Sequence, residues 1–169
     1  MWPASKVFPK ELFPLGKIPV VVHIVWEFLE AGITDIVIVA AAHNKSYVAA
    51  LFDRSVSPPP KLANDPLVRR FQDSLERCRL SIIEQSGSYG NGTPLLDAAR
   101  QFGIERCVYA FGDDVVIGEN ATRGLIGVYE RTGNPIMGVQ EVSPARKSSF
   151  GILESERRDG VEYVQRLFE

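Results

Sequence analysis

Two short stretches of the sequence carry side chains suited to a phosphorylated ligand and a metal ion. In the first, Lys10 directly follows Pro9, and Pro14 comes soon after. Prolines restrict the backbone and lower the entropic cost of holding a loop, and a lysine ammonium binds phosphate as a point charge. In the second, Asp113 closely follows the apolar run 107–111. A carboxylate behind a buried strand lies where α/β sheets bind ligands, and Mg²⁺ prefers one or two carboxylates plus phosphate oxygens. Together the stretches predict a site for a metal-bound nucleotide.

Each of these residues also has a simpler interpretation. Lys10, taken alone, fits a solvated surface lysine at least as well as a phosphate ligand. Asp113 fits a carboxylate that caps the next turn, and the neighbouring Asp114 could take the same role. Neither stretch is therefore decisive by itself.

A glycine-rich loop provides a third candidate. It spans 86–93 and directly follows Gln85. Its glycines, among them Gly90, let the backbone approach a base or a phosphate, and the Gln85 amide can pair with a pyrimidine edge. The loop does not end in Lys-Ser or Lys-Thr, so it is not a P-loop. A plain strand-to-helix turn explains the same residues equally well.

The composition is that of an ordinary globular chain. The 169 residues can form one good core, and we expect a single domain over 1–169. A net charge of −2 argues against nucleic acid as a partner. No apolar run reaches the ~20 residues that cross a bilayer, so no membrane partner is expected. Cys78 and Cys107 have no metal-binding or redox spacing, which is compatible with a cytoplasmic location.

Helical and strand-like patterns alternate along the chain and must position these candidates. This order predicts an α/β fold with a doubly wound, mostly parallel sheet flanked by helices. The predicted helices are 18–31, 46–53, 65–79, 94–102 and 120–132. The predicted strands are 33–40, 80–85, 107–111, 135–141, 151–154 and 161–168.

Several stretches together resemble one family. The stretch 3–15 is similar to the P-A-T-K-x-x-P-K-E-x-x-P-L motif of the sugar-1-phosphate nucleotidylyltransferases, and later stretches follow that family in order and spacing. The resemblance is strongest to the bacterial-type UTP–glucose-1-phosphate uridylyltransferases and implies their Rossmann-like nucleotidyltransferase fold. The later stretches are 31–53, 85–93, 111–113, 150–151 and 167–169.

The resemblance implies a reaction and a role for each matching residue. An oxygen of glucose 1-phosphate, or of a related sugar 1-phosphate, would attack the α-phosphorus of UTP with Mg²⁺ as cofactor, and pyrophosphate would leave. Such chemistry needs positioning and charge neutralisation more than a general base. The implied catalytic residues are Lys10 and Asp113. The implied contacts are Lys10, Gln85 and Gly90 for the nucleotide, Asp113 for the metal, and Gly151 and Glu169 for the sugar.

Departures from the family pattern leave other functions open. The family's glycine-rich phosphate loop would precede Met1, and its Lys-Pro would follow Glu169, so we expect a chain that is incomplete at both ends. A non-catalytic nucleotide-binding or regulatory module is therefore an alternative. Gly112 stands where uridylyltransferases often have proline, which keeps a thymidylyltransferase open. An unrelated flavodoxin-like domain would place Lys10 far from Asp113. Self-association is a further expectation, since a truncated sheet exposes apolar faces.

Overall fold

A computed structural model describes residues 8–87, 90–158 and 160–168. Backbone contacts group the chain into two units, Met1–Asn134 and Pro135–Glu169. The helices of the first unit are α1 (Val20–Glu30), α2 (Ala42–Leu51), α3 (Pro66–Arg77), α4 (Thr93–Phe102) and α5 (Ala121–Thr132). Its strands are β1 (Pro14–Leu15), β2 (Ile18–Pro19), β3 (Asp35–Ala40) and β4 (Arg79–Glu84). The second unit contains β5 (Ile152–Arg158) and β6 (Val161–Phe168).

Strands β3 and β4 pair in parallel, as their near-continuous apolar sequences predict. The register runs from Asp35 opposite Arg79 to Ala40 opposite Glu84. Parallel strands need a crossover connection, which α2 and α3 supply. The carboxyl ends of the strands therefore lie side by side, and the Gln85 N–H donates to the Ala40 carbonyl at 2.9 Å.

Helix α1 supplies most of the largest buried side chains in the core of the first unit. Val22 is fully buried and Val25 is 2% exposed, which stabilises the fold by about 1.5–3 kcal/mol for each side chain. Trp26 is also buried, yet its indole N–H has no hydrogen-bond partner among the described residues. An unmade hydrogen bond of this kind costs about 1–3 kcal/mol.

The carboxylate of Glu27 on α1 holds the start of helix α5. Glu27 Oε1 accepts hydrogen bonds from both the N–H and the Oγ1 of Thr122, each at 2.8 Å, and Thr122 is 3% exposed. The adjacent Asn120 caps α5 by accepting from the Arg123 N–H, and its own amide donates to the Glu27 carbonyl. The start of α5 is thus held by polar contacts as well as by packing.

The second unit contains an antiparallel hairpin. β5 and β6 pair from Ile152 opposite Phe168 to Arg158 opposite Val161, with an irregularity at Glu154/Ser155. Gly160 adopts φ +78°, a left-handed conformation that glycine adopts without the steric cost of a Cβ, so it suits the turn.

The structure confirms the five predicted helices and corrects several bounds. The first helix begins at Val20 rather than 18, because Ile18 and Pro19 pair with β1 instead. The predicted strands at 107–111 and 135–141 are wrong, since neither segment forms strand pairs. A strand needs a backbone partner, and an apolar run says nothing about whether one lies beside it. Cys107, Tyr109 and Phe111 are accordingly exposed rather than buried.

None of the helices in the described part of the chain is long and apolar enough to cross a membrane.

We expect Glu27→Ala to destabilise the protein by about 1–3 kcal/mol, because it leaves the buried Thr122 hydroxyl and N–H without their acceptor. Urea unfolding followed by circular dichroism measures the change. Glu76→Ala on the exposed face of α3 is the control and should cost less than 0.5 kcal/mol, within the roughly ±0.5 kcal/mol typical of surface sites. Equal midpoints for the two variants would show that the Glu27 contact does not hold α5.

Candidate functional site

The two most informative stretches of the sequence meet in the folded chain. Lys10 begins a short 3₁₀ turn, Lys10–Leu12, which the buried Leu12 anchors against α1. The Lys10 Nζ lies 2.5 Å from Asp113 Oδ2, and the two side chains are 52% and 32% exposed. The lysine predicted to bind phosphate and the aspartate predicted to bind metal therefore lie together in one accessible place, and their charges neutralise each other.

A second contact joins the same two segments. An added Cβ at Gly112 would lie 3.5 Å from the Cβ of Glu11, an ordinary van der Waals distance. The backbone that carries Asp113 thus packs directly against the turn that carries Lys10. Packing of the two segments, and not only the length of the lysine side chain, therefore brings Lys10 and Asp113 together.

Tyr109 links the aspartate segment to the glycine-rich loop. Its hydroxyl donates to the Asn91 carbonyl at 2.8 Å, and its ring meets Phe111 edge-on with centroids 5.4 Å apart. Partial burial raises the pKa of Tyr109, so the phenol keeps the proton that it donates. The loop 90–92, the segment 109–113 and the Lys10 turn consequently form one connected chain of contacts.

Asp97 of α4 holds the start of the glycine-rich loop. Its Oδ2 accepts the Ser86 N–H and its Oδ1 accepts the Ser86 hydroxyl, both at 2.7 Å. The Ser86 hydroxyl, followed by the Ser86 N–H, lowers the pKa of Asp97 below its ordinary value of 3.8. Since Gln85 directly precedes Ser86 and follows β4, its backbone is fixed on both sides.

The remaining predicted contact residues are Gly90, Gly151 and Glu169. An added Cβ at Gly90 would lie 3.5 Å from Thr93 Oγ1. At Gly151, in the second unit, it would lie 3.6 Å from the Phe168 carbonyl oxygen. Both distances are ordinary, so the described chain gives no steric reason for glycine, and the ligand contacts expected there stay predictions. Glu169 lies outside the described residues.

Sequence reasoning did not identify Tyr109 or Asp97 as parts of this site. Asp97 reaches Ser86 across 11 residues and a loop, and Tyr109 reaches Asn91 across 18. The sequence offered one signal for such a contact, which is that Asp97 lies in the first turns of the helix after the loop. Many helices carry a carboxylate at this place, so the signal is weak. No periodicity or motif distinguishes these two residues.

Comparison with known proteins identifies the family of this chain. The model of the nucleotidyl transferase family matches residues 1–169. The chain belongs to the nucleotidyl transferase family. A UTP–glucose-1-phosphate uridylyltransferase from Staphylococcus epidermidis is 31% identical over 98% of this chain, and the chain spans 59% of the length of that relative.

Solved structures show the same fold. An apo UDP-glucose pyrophosphorylase superposes with a TM-score of 0.87 at 23% identity, covering all of this chain and 64% of that one. A UDP-glucose pyrophosphorylase complexed with UDP-glucose gives a TM-score of 0.85 at 24% identity, covering all of this chain and 63% of that one. These neighbours confirm the α/β nucleotidyltransferase fold, and the flavodoxin-like alternative is set aside.

The Asp97–Ser86 contact should be visible in a titration. Because the pKa of Asp97 is lowered in the folded state, the contact stabilises the loop above the unfolded pKa and is lost as pH falls through the folded one. We expect the Asp97 carboxyl ¹³C shift to titrate below pH 3.8, and Ser86→Ala to move the midpoint part of the way back. A midpoint that Ser86→Ala leaves in place would contradict the assignment.

Proposed function

We propose that the protein transfers a uridylyl group from UTP to glucose 1-phosphate, or to a related sugar 1-phosphate, and releases UDP-glucose and pyrophosphate. The observation that carries the proposal is the 2.5 Å contact between Lys10 and Asp113. It joins the phosphate-binding and metal-binding residues that the sequence predicted in separate stretches. The names of the relatives support the same reaction.

The charges of this pair match those of a metal–triphosphate. Lys10 Nζ can move from Asp113 to a phosphate oxygen, and Asp113 can turn its freed oxygens to the metal ion. The Lys10–Asp113 ion pair is thereby replaced by two ion pairs, Lys10 with phosphate and Asp113 with the metal ion. Neither side chain is left without an opposite charge. Both side chains are partly exposed, so the exchange needs no movement of the core.

A divalent metal is general in this family, and we propose Mg²⁺ here. No three His, Cys, Asp or Glu side chains come together as a metal cage within residues 8–87, 90–158 and 160–168. This donor set fits Mg²⁺, which is commonly held by one or two carboxylates plus substrate phosphates. Asp113 would hold it, and the bound ion would neutralise charge that develops on the phosphates.

The transfer itself requires alignment more than proton movement. An oxygen of the sugar 1-phosphate forms a bond to the α-phosphorus, and the bond from that phosphorus to the oxygen bridging to the β-phosphate breaks. The leaving group is pyrophosphate. Lys10 offsets the negative charge of the phosphates, and a pre-positioned donor of this kind contributes through electrostatic stabilisation.

The other residue roles are part of the proposal. Gln85 would read the pyrimidine, and its backbone is supported by Ala40 and, through Ser86, by Asp97. Gly90 would let the base lie close to the backbone. Gly151 and Glu169 would contact the sugar by resemblance alone.

A non-catalytic nucleotide-binding module is the second candidate. The Lys10–Asp113 pair would serve such a module equally well, because binding a metal-bound nucleotide does not require turnover. A thymidylyltransferase is the third, on the evidence of Gly112 in the sequence.

The organisation of the protein is proposed on indirect support. The family match runs through both units, which supports one nucleotidyltransferase domain over 1–169.

Exposed apolar side chains such as Met137 and Val139 support self-association. UTP and sugar phosphates are metabolites of the cytoplasm, so we propose that location.

We expect Lys10→Ala to weaken UTP binding and to lower kcat/KM for pyrophosphate release by about 100-fold, the size seen when one preorganised donor is removed. Equilibrium dialysis with labelled UTP and Mg²⁺ measures binding, and a coupled pyrophosphate assay measures turnover. Lys17→Ala, an exposed lysine on the neighbouring turn, is the matched control and should leave both unchanged.

The outcomes separate the three candidates. UTP binding that depends on Lys10, without any nucleotide sugar formed, would favour the non-catalytic module. A preference for dTTP over UTP would favour the thymidylyltransferase. Unchanged binding and turnover in Lys10→Ala would overturn the role of the Lys10–Asp113 pair.

A further inference from the structure

A cavity of about 370 Å³ lies between α1 and α3. None of the residues assigned to the nucleotide site lines it. Its volume is within the range of small-molecule sites, roughly 300–1,000 Å³. Its lining includes the apolar residues Trp26, Leu29 and Pro66 and three arginines of α3: Arg69, Arg70 and Arg77.

The arginines are held in different ways. Arg70 Cζ lies 3.9 Å from the centroid of the Trp26 ring, and its Nη2 lies 2.7 Å from Glu30 Oε1. Arg69 donates to the Ala63 carbonyl and to its neighbour Asn64. The Arg77 side chain makes no hydrogen bond or ion pair with any described residue, while its backbone belongs to α3. Arginine side chains that line one cavity can bind phosphate oxygens through their guanidinium groups.

The negative charges near the cavity do not balance these cations. Two carboxylates, Glu30 and Asp73, line it beside the three arginines. Glu30 is already engaged by Arg70, and a fourth guanidinium, that of Arg123, donates to the Glu30 carbonyl. The cavity therefore presents an excess of positive charge although the whole chain is slightly acidic.

Trp26 contributes to the apolar lining of the cavity and carries a buried indole donor. Trp26 is 5% exposed, and its indole N–H has no acceptor among the described residues. The indole nitrogen itself is buried, so Trp26 would report a ligand through changes in its surroundings rather than through a direct hydrogen bond.

We propose that this cavity binds a small phosphate ester. Its phosphoryl oxygens lie against Arg69 and Arg77, with Arg70 turning from Glu30 to join them. Its organic part packs on Trp26, Leu29 and Pro66. The site is separate from the Lys10–Asp113 pair and does not depend on the proposed transferase function.

The indole N–H of Trp26 is the natural reporter. The chain has two tryptophans, and Trp2→Phe leaves Trp26 as the single indole signal in a ¹⁵N–¹H spectrum. We expect phenyl phosphate, titrated at constant ionic strength, to shift this signal saturably. Inorganic phosphate should bind more weakly because it lacks an apolar part, and phenol should leave the signal in place because it lacks the charge.

Substitutions in the same Trp2→Phe background identify the partners. Arg77→Gln should weaken phenyl phosphate binding by about 10-fold, as expected for one charge-assisted contact. Arg69→Gln provides a second, independent test if Arg77→Gln alters folding. Arg106→Gln removes the same charge from an exposed position outside the cavity, and Lys10→Ala disables the proposed nucleotide site. Both of these should bind phenyl phosphate as the parent does.

Other outcomes would overturn the proposal. A signal that does not move, or that moves without saturating, shows that the cavity takes no phosphate ester. An Arg106→Gln effect as large as that of Arg77→Gln shows a general charge effect. Loss of binding in Lys10→Ala places the ligand at the nucleotide site instead.

Discussion

The burial of α1 joins several separate parts of the first unit. Its valines fill the core, and its surface contacts the Lys10 turn, β2, α3 and α5. Leu12 packs into the same cluster, so the turn that presents Lys10 takes its position from this helix. Glu27 on the same helix holds the start of α5. A change that loosened α1 would therefore disturb elements on several sides at once, since packed interiors transmit strain.

Two regions of the first unit differ in the balance of their charges. At the Lys10–Asp113 pair, two partly exposed opposite charges lie in contact, and we propose that a metal–triphosphate separates them. In the cavity between α1 and α3, arginines outnumber carboxylates beside a buried indole donor. The first arrangement suits a ligand that brings both signs of charge. The second suits an anion.

Side chains from outside the glycine-rich loop hold it in place. Asp97 fixes Ser86, and Tyr109 reaches Asn91, so both ends of the loop are tied by side chains from elsewhere. Membership of the nucleotidyl transferase family explains the fold and the position of the loop.

The sequence by itself determined the helices, the strands β3 and β4 and the chemical types of the candidate residues. These follow from apolar periodicity, glycines and prolines, and each depends on neighbours a few residues away. Tertiary structure decided which segments lack strand partners, as at 107–111. It also decided that Lys10 and Asp113, 103 positions apart, lie 2.5 Å from each other, and that Trp26 lies beneath Arg70. Contacts at such separations depend on how helices and strands pack, and local patterning carries no information about that packing.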